Sequence, residues 1–196
     1  TEFDDDKLTY NQLLDSIQKL TSFFRSQNIK PGSRIIIITE HDTHAITLFT
    51  AALLEGLSPT MLSSEVKSFR AQAIMKQVSP HMVFMDEGFE SKWLWLSGYH
   101  CVYILEDVKK ALHGKSSEKD IKTNRYYPAL LNQCDPVEPL CHSQPEDIAF
   151  ISFTSGTTSN PKGILTTHAN LFEHLETITR IFNYTNQSCI FNNLSL

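Results

Sequence analysis

Residues 34 to 39 read RIIIIT, and four isoleucines in a row constrain the fold more than any other stretch. Successive side chains of a strand point to opposite faces, so an unbroken apolar run needs cover on both sides. A half-wetted antiparallel strand would alternate apolar with polar residues. A parallel sheet packed between two helix layers would not, and RIIIIT fits that arrangement.

The flanking sequence supplies the helices. Thr9 followed by Gln12 forms a capping-box signature, and Tyr10, Leu13, Leu14, Ile17, Leu20 and Phe24 then recur at helical spacing until the turn NIKPGS. After the isoleucines, DTHAITLFTAALLEG reads as a helix closed by Gly56, SPTML as a short strand, EVKSFRAQAIMKQVS as a helix ended by Pro80, and HMVFMD as a strand. ESKWLWLSG and HCVYIL read as one more helix and strand. Helices alternating with brief apolar strands predict β-α-β units and an open, layered αβα sheet, so the fold class is α/β.

Residues 1–112 are read as a first α/β subdomain. The stretch 113–146 is rich in Pro, Ser, Lys and Asp without a sustained period, and reads as an irregular linker. Residues 147–196 then give the strand IAFISF, the loop TSGTTSNPKG, the strand ILTT and a helix HANLFEHLETITRIFNY with Leu171, Leu175, Ile178 and Phe182 on one face. SCIFNNLSL reads as the start of another strand, and the expectation is a second subdomain that is incomplete within this chain.

Composition narrows the function classes. The formal net charge is -5 and apolar residues make up 41%, which gives no electrostatic reason to expect a nucleic acid. No apolar run is long enough to span a bilayer, and the acidic opening TEFDDDKLTY is unlike a signal peptide, so a cytoplasmic location is expected. Cys101, Cys134, Cys141 and Cys189 lack the spacing of a zinc knuckle or disulfide framework and read as reduced thiols. The N-x-[ST] triplets at Asn183, Asn186 and Asn193 read as chance, His41 and His44 as helix-start residues, His168 as a capping or packing residue, and Trp93 and Trp95 as packing. No metal ligands are assigned.

The loop after IAFISF carries the chemistry. Thr154, Ser155, Gly156, Thr157, Thr158 and Ser159 offer hydroxyls and successive backbone N–H groups that can converge where Gly156 relaxes the backbone, and Lys162 adds a full charge. That combination suits a polyphosphate. The Walker phosphate loop fails here, because Pro161 stands at its second glycine and Gly163 at its magnesium-binding hydroxyl, and the next residues, ILTT, read as a strand. A ligand-free hydroxyl-rich turn is the plain alternative.

IAFISFTSGTTSNPKGILTTHANL resembles the phosphate-binding signature of the adenylate-forming superfamily, which includes acyl- and aryl-CoA synthetases and nonribosomal adenylation domains. Ser159 is the single departure, at a position where Gly is most usual. The opening LTYNQLLDSIQKLTSFFRSQNIKPGSRIIIITEHDTHAITLFTAALLEGLSPTML is similar to the family's first helix–strand–helix, so the resemblance covers nearly the whole chain. It implies an ATP-dependent ligase that activates a carboxylic acid as an acyl-AMP and passes it to CoA or a carrier thiol. It further implies that Thr154, Ser155, Gly156, Thr157, Thr158, Ser159, Lys162 and Gly163 bind ATP. The magnesium ligand and the family's catalytic lysine belong to motifs outside this sequence, so an N-terminal part of such an enzyme, inactive alone, is expected. Competing readings are a self-contained nucleotide-binding or NTPase module, with Asp86 or Asp107 at a strand end as magnesium ligand, and a non-catalytic structural fragment.

Overall fold

The structure, a computed structural model, describes residues 8–86, 89, 96, 102–105, 124–126, 131, 134–140, 143–154 and 161–190. Helix α1 (Tyr10–Ser26) starts at the expected capping box: Gln12 N–H donates to Thr9 Oγ1 at 3.3 Å and Thr9 N–H to Gln12 Oε1 at 2.9 Å. Its inward stripe is Ile17, Leu20, Thr21, Phe23 and Phe24, whereas Tyr10 and Leu14, placed by spacing on the apolar face, are exposed in the first turns. The helix stops where Asn28 turns left-handed at φ 54°.

Strand β1 (Arg34–Ile38) is covered on both sides, and each of its four isoleucines is 0% exposed. Ile35 and Ile37 join one core with α1 and with α2 (Asp42–Leu54); Ile36 and Ile38 join another with α3 (Ser68–Val78). Two-residue alternation across one strand thus creates two cores. At about 1.5–3 kcal/mol for each fully buried aliphatic side chain, the isoleucines are a principal source of the sheet's stability.

β1 pairs in parallel with β2 (Ser58–Met61) on one side and β3 (Met82–Asp86) on the other; β4 (Val102–Leu105) and β5 (Asn124–Tyr126) extend the sheet to the order β2-β1-β3-β4-β5. The β1-to-β2 and β2-to-β3 connections run in opposite directions across the sheet. Right-handed crossovers then put α2 and α3 on opposite faces, giving the αβα layering. Gly56 ends α2 at φ +70°, a conformation that favours glycine, and a Cβ there would also be tight, 3.3 Å from Pro31 Cβ and 3.2 Å from Ser143 Oγ.

Part of the stretch 113–146 falls within the described residues. It contributes β5, and residues 134–140 lie along α1: Gln18 Nε2 donates to Glu138 Oε1 at 2.8 Å and an Arg25 guanidinium nitrogen to the Glu138 carbonyl at 2.9 Å. Arg25 also forms a two-pronged ion pair with the buried Glu55, at 3.1 and 2.8 Å. Long-range polar contacts of this kind leave no periodic signature in sequence. Cys134 packs against the first core, where burial and then the Asp135 charge push its thiol pKa up; Cys101 and Cys141 lie outside the described residues.

A second, antiparallel sheet pairs β6 (Ile148–Phe153) with β7 (Gly163–Thr167), followed by α4 (His168–Phe182). β6 lies beside β2: Ser58 Oγ donates to the Ile148 carbonyl at 2.7 Å, and the Phe49 and Phe150 rings sit 5.7 Å apart. Thr167, not His168, caps α4, its Oγ1 accepting from Asn170 N–H at 3.2 Å. The apolar stripe of α4 is present but uncovered, with no buried residue on the helix among those described. Apart from Leu96, which is buried in the second core, the reading of ESKWLWLSG as a helix, including Trp93 and Trp95, lies outside the described residues, as does that of SCIFNNLSL as a strand from position 191 onward.

Candidate functional site

The antiparallel pairing of β6 and β7 brings the two ends of the hydroxyl-rich loop together. Phe153 stands opposite Gly163, and Thr154 N–H donates to the Lys162 carbonyl at 3.3 Å, closing a neck from which the loop emerges. Ser155, Gly156, Thr157, Thr158 and Ser159 lie outside the described residues; Thr154, Lys162 and Gly163 form the neck. Lys162 is exposed, so its ammonium is available to an anion held by the loop, while Pro161 beside it is buried. Gly163 has a packing reason: a Cβ there would come within 3.3 Å of the Phe153 ring, tighter than ordinary contact.

Lys162 leads directly into strand β7, and the next helix begins only at His168. A Walker loop opens directly into a helix whose N-terminal N–H groups meet the phosphates, so that geometry is absent here.

Sequence reasoning missed two residues that touch the neck. The Arg70 guanidinium donates to the Thr154 carbonyl, and Gln77 Nε2 donates to the Pro161 carbonyl at 3.0 Å. Both belong to α3, and nothing local in EVKSFRAQAIMKQVS marks them. Phe153 adds an apolar anchor by packing against the second core.

A second polar cluster occupies the C-terminal ends of β1 and β3. Asp86, the magnesium-ligand candidate of the competing NTPase reading, is buried, accepting from Thr39 Oγ1 and Glu40 N–H at 2.7 Å each. His44 Nδ1 lies 3.9 Å from Asp86 Oδ1, beyond hydrogen-bond reach but close enough for electrostatic attraction. Burial pushes the Asp86 carboxyl up, but His44, Thr39, the Glu40 N–H and the His41 charge together hold it below its ordinary value. The carboxylate is therefore already engaged, which weighs against a free magnesium ligand at this position. His41 is the N-cap residue of α2 without a side-chain cap bond, and His44 lies in its first turn, so both are helix-start residues as expected. Asp107 lies outside the described residues, and among those described no group of three or more His, Cys, Asp or Glu side chains is placed to hold a metal ion. No helix among them is long and apolar enough to cross a membrane.

Comparison with known proteins agrees with this architecture. Nonribosomal peptide synthetase dtpA of Aspergillus flavus is 28% identical over 85% of this chain, and bacitracin synthase 2 of Bacillus licheniformis 23% identical over 91%; the match spans 6% of each. Among the curated relatives with strongest matches the chain spans a third of the length or less, from 33% down to 2%. The crystal structure of anthranilate CoA ligase AuaEII in complex with anthranoyl-AMP superposes with a TM-score of 0.72 at 15% identity, over 84% of this chain and 30% of that one. At such low identity the superposition establishes the shared fold alone. The sequence pattern of the family described as "AMP-binding enzyme" matches residues 1–195, and the chain belongs to that family of adenylate-forming ligases.

Proposed function

We propose that these residues are the N-terminal portion of an ATP-dependent acid–thiol ligase. In the first half-reaction a substrate carboxylate oxygen attacks the α-phosphorus of ATP, the bond to the bridging oxygen breaks, and pyrophosphate leaves an acyl-AMP. In the second, a thiol sulfur of CoA or a carrier attacks the acyl carbon and AMP departs. The observation that carries this reading is the strand–loop–strand neck with Lys162 exposed at its rim. On this reading Thr154, Ser155, Gly156, Thr157, Thr158 and Ser159 supply donors to the β- and γ-phosphates, Lys162 offsets their charge, and Gly163 lets β7 start against Phe153.

Catalysis of this type rests on positioning and charge neutralisation more than on covalent chemistry by the protein. Magnesium, when bound with ATP, would neutralise phosphate charge; its protein ligand is expected outside these residues. ATP–pyrophosphate exchange by the full-length protein tests the assignment. Lys162→Ala is expected to lower kcat/KM for ATP by about tenfold or more and leave the KM for the acid nearly unchanged. An unchanged ATP dependence overturns the role given to the loop.

A further inference from the structure

Helix α3 reaches both ends of the candidate phosphate loop with two side chains of one face. Arg70 and Gln77 are separated by about two helical turns, so they project in nearly the same direction from an axis segment of about 10 Å. Arg70 donates to the carbonyl of Thr154 at the loop's entry and Gln77 to the carbonyl of Pro161 at its exit. The helix itself is fixed. Ala71, Ile74, Met75 and Val78 bury the adjoining face in the second core, together with Ile36, Ile38, Val83 and Met85 of the sheet.

We propose that Arg70 and Gln77 are positioning residues that clamp Thr154 and Pro161, the two stems of the phosphate loop, to the five-stranded unit, and so fix the points between which the polyphosphate-binding residues are strung. This rests on the phosphate-loop reading above and adds to it the part that fixes the loop's two ends. A Gly-, Ser- and Thr-rich loop loses much backbone freedom on closing around a ligand, and fixing its ends beforehand removes part of that cost from binding. The β6–β7 pairing and the neck bond between Thr154 and Lys162 tie the stems to each other; the α3 side chains tie them to the five-stranded unit. Neither side chain needs to touch the nucleotide to affect its affinity.

The test is calorimetric titration of the full-length protein with Mg-ATP and with Mg-pyrophosphate, alongside thermal melts and limited trypsin digestion at the Lys162–Gly163 bond. Gln77→Leu removes a donor without changing charge and is expected to weaken both ligands about fivefold, the scale of one hydrogen bond. Arg70→Met, which loses a charge-assisted bond, is expected to weaken them about tenfold. Both should speed cleavage at Lys162–Gly163 with little change in Tm. Gln77→Lys keeps a donor and should restore most of the affinity, whereas Gln72→Leu, on an exposed position of the same helix away from the neck, should change nothing.

Affinities within twofold of wild type for Gln77→Leu and Arg70→Met, while Lys162→Ala still weakens Mg-ATP, overturn the clamp and leave the loop reading intact. The same holds if the variants lower Tm without moving affinity. Unchanged affinity for Lys162→Ala as well, or no binding by the wild-type protein, overturns the loop reading and the clamp with it.

Discussion

The two sheets treat their apolar residues in opposite ways. Ile35, Ile36, Ile37 and Ile38 of β1 are all 0% exposed, while Ile164 and Leu165 of β7 are 50% and 59% exposed, and Phe172 and Leu175 of α4 are 68% and 53% exposed. Both regions are rich in apolar side chains; cover is what separates them. Among the described residues, the parallel sheet has helices on both faces, while the hairpin meets the five-stranded unit through β2 and the second core. The candidate loop emerges from the hairpin, and α3 ties its two ends to the parallel sheet.

A cavity in the covered sheet challenges that contrast most severely. Ile37→Ala is expected to destabilise by about 2–5 kcal/mol, read from urea denaturation, because its site is walled by α1, α2 and neighbouring strands and can collapse only partly. A loss below about 1 kcal/mol would show that the sheet is not the stability reservoir described here.

Next in size is Asp86→Asn, which disrupts the buried junction between β1 and β3. It should cost about 1–3 kcal/mol near neutral pH, since the Thr39 hydroxyl and Glu40 N–H lose an ionised acceptor. The pH dependence has a definite sign. A carboxyl whose folded pKa lies below its unfolded value contributes stability that is fully present above the unfolded pKa and is lost as pH falls through the folded one. Melts across the acid range should therefore fall less steeply for Asp86→Asn than for the wild type.

Two smaller changes probe the hairpin side. Thr167→Ala removes the α4 cap and is expected to cost about 1 kcal/mol, visible as faster amide exchange in the first turn of that helix while α1 and α3 stay protected. Loss of protection spreading to α3 would mean that the two regions unfold as one unit. Leu175→Ala, on the open face of α4, should change stability by no more than about 0.5 kcal/mol in these residues. An effect as large as that of Ile37→Ala would mean that the face is covered.

Much of this was legible because its causes are local. The capping box at Thr9 and Gln12, the left-handed glycine at Gly56 and the apolar run of β1 each carry their own signature, and the structure places each where the pattern did. The strand–loop–strand arrangement around the candidate site was likewise readable, because Gly163 and ILTT exclude a Walker helix. Where the reading fell short, the cause was distant in sequence. Tyr10 and Leu14 have helical spacing but sit where no partner reaches them, β5 forms in a stretch without periodicity, and Asp86 meets Thr39 and Glu40 only because β1 and β3 are neighbours.

Local sequence was enough for the parallel character of the main sheet, the alternation of strands and helices, and a loop whose chemistry suits phosphates, since side-chain period, cap residues and donor content act over a few positions. Three-dimensional packing was needed for the strand order β2-β1-β3-β4-β5, the burial of Asp86, and the grip of Arg70 and Gln77 on Thr154 and Pro161. Those last two contacts join residues 84 positions apart, and their energy exists only once the sheet has brought the segments together.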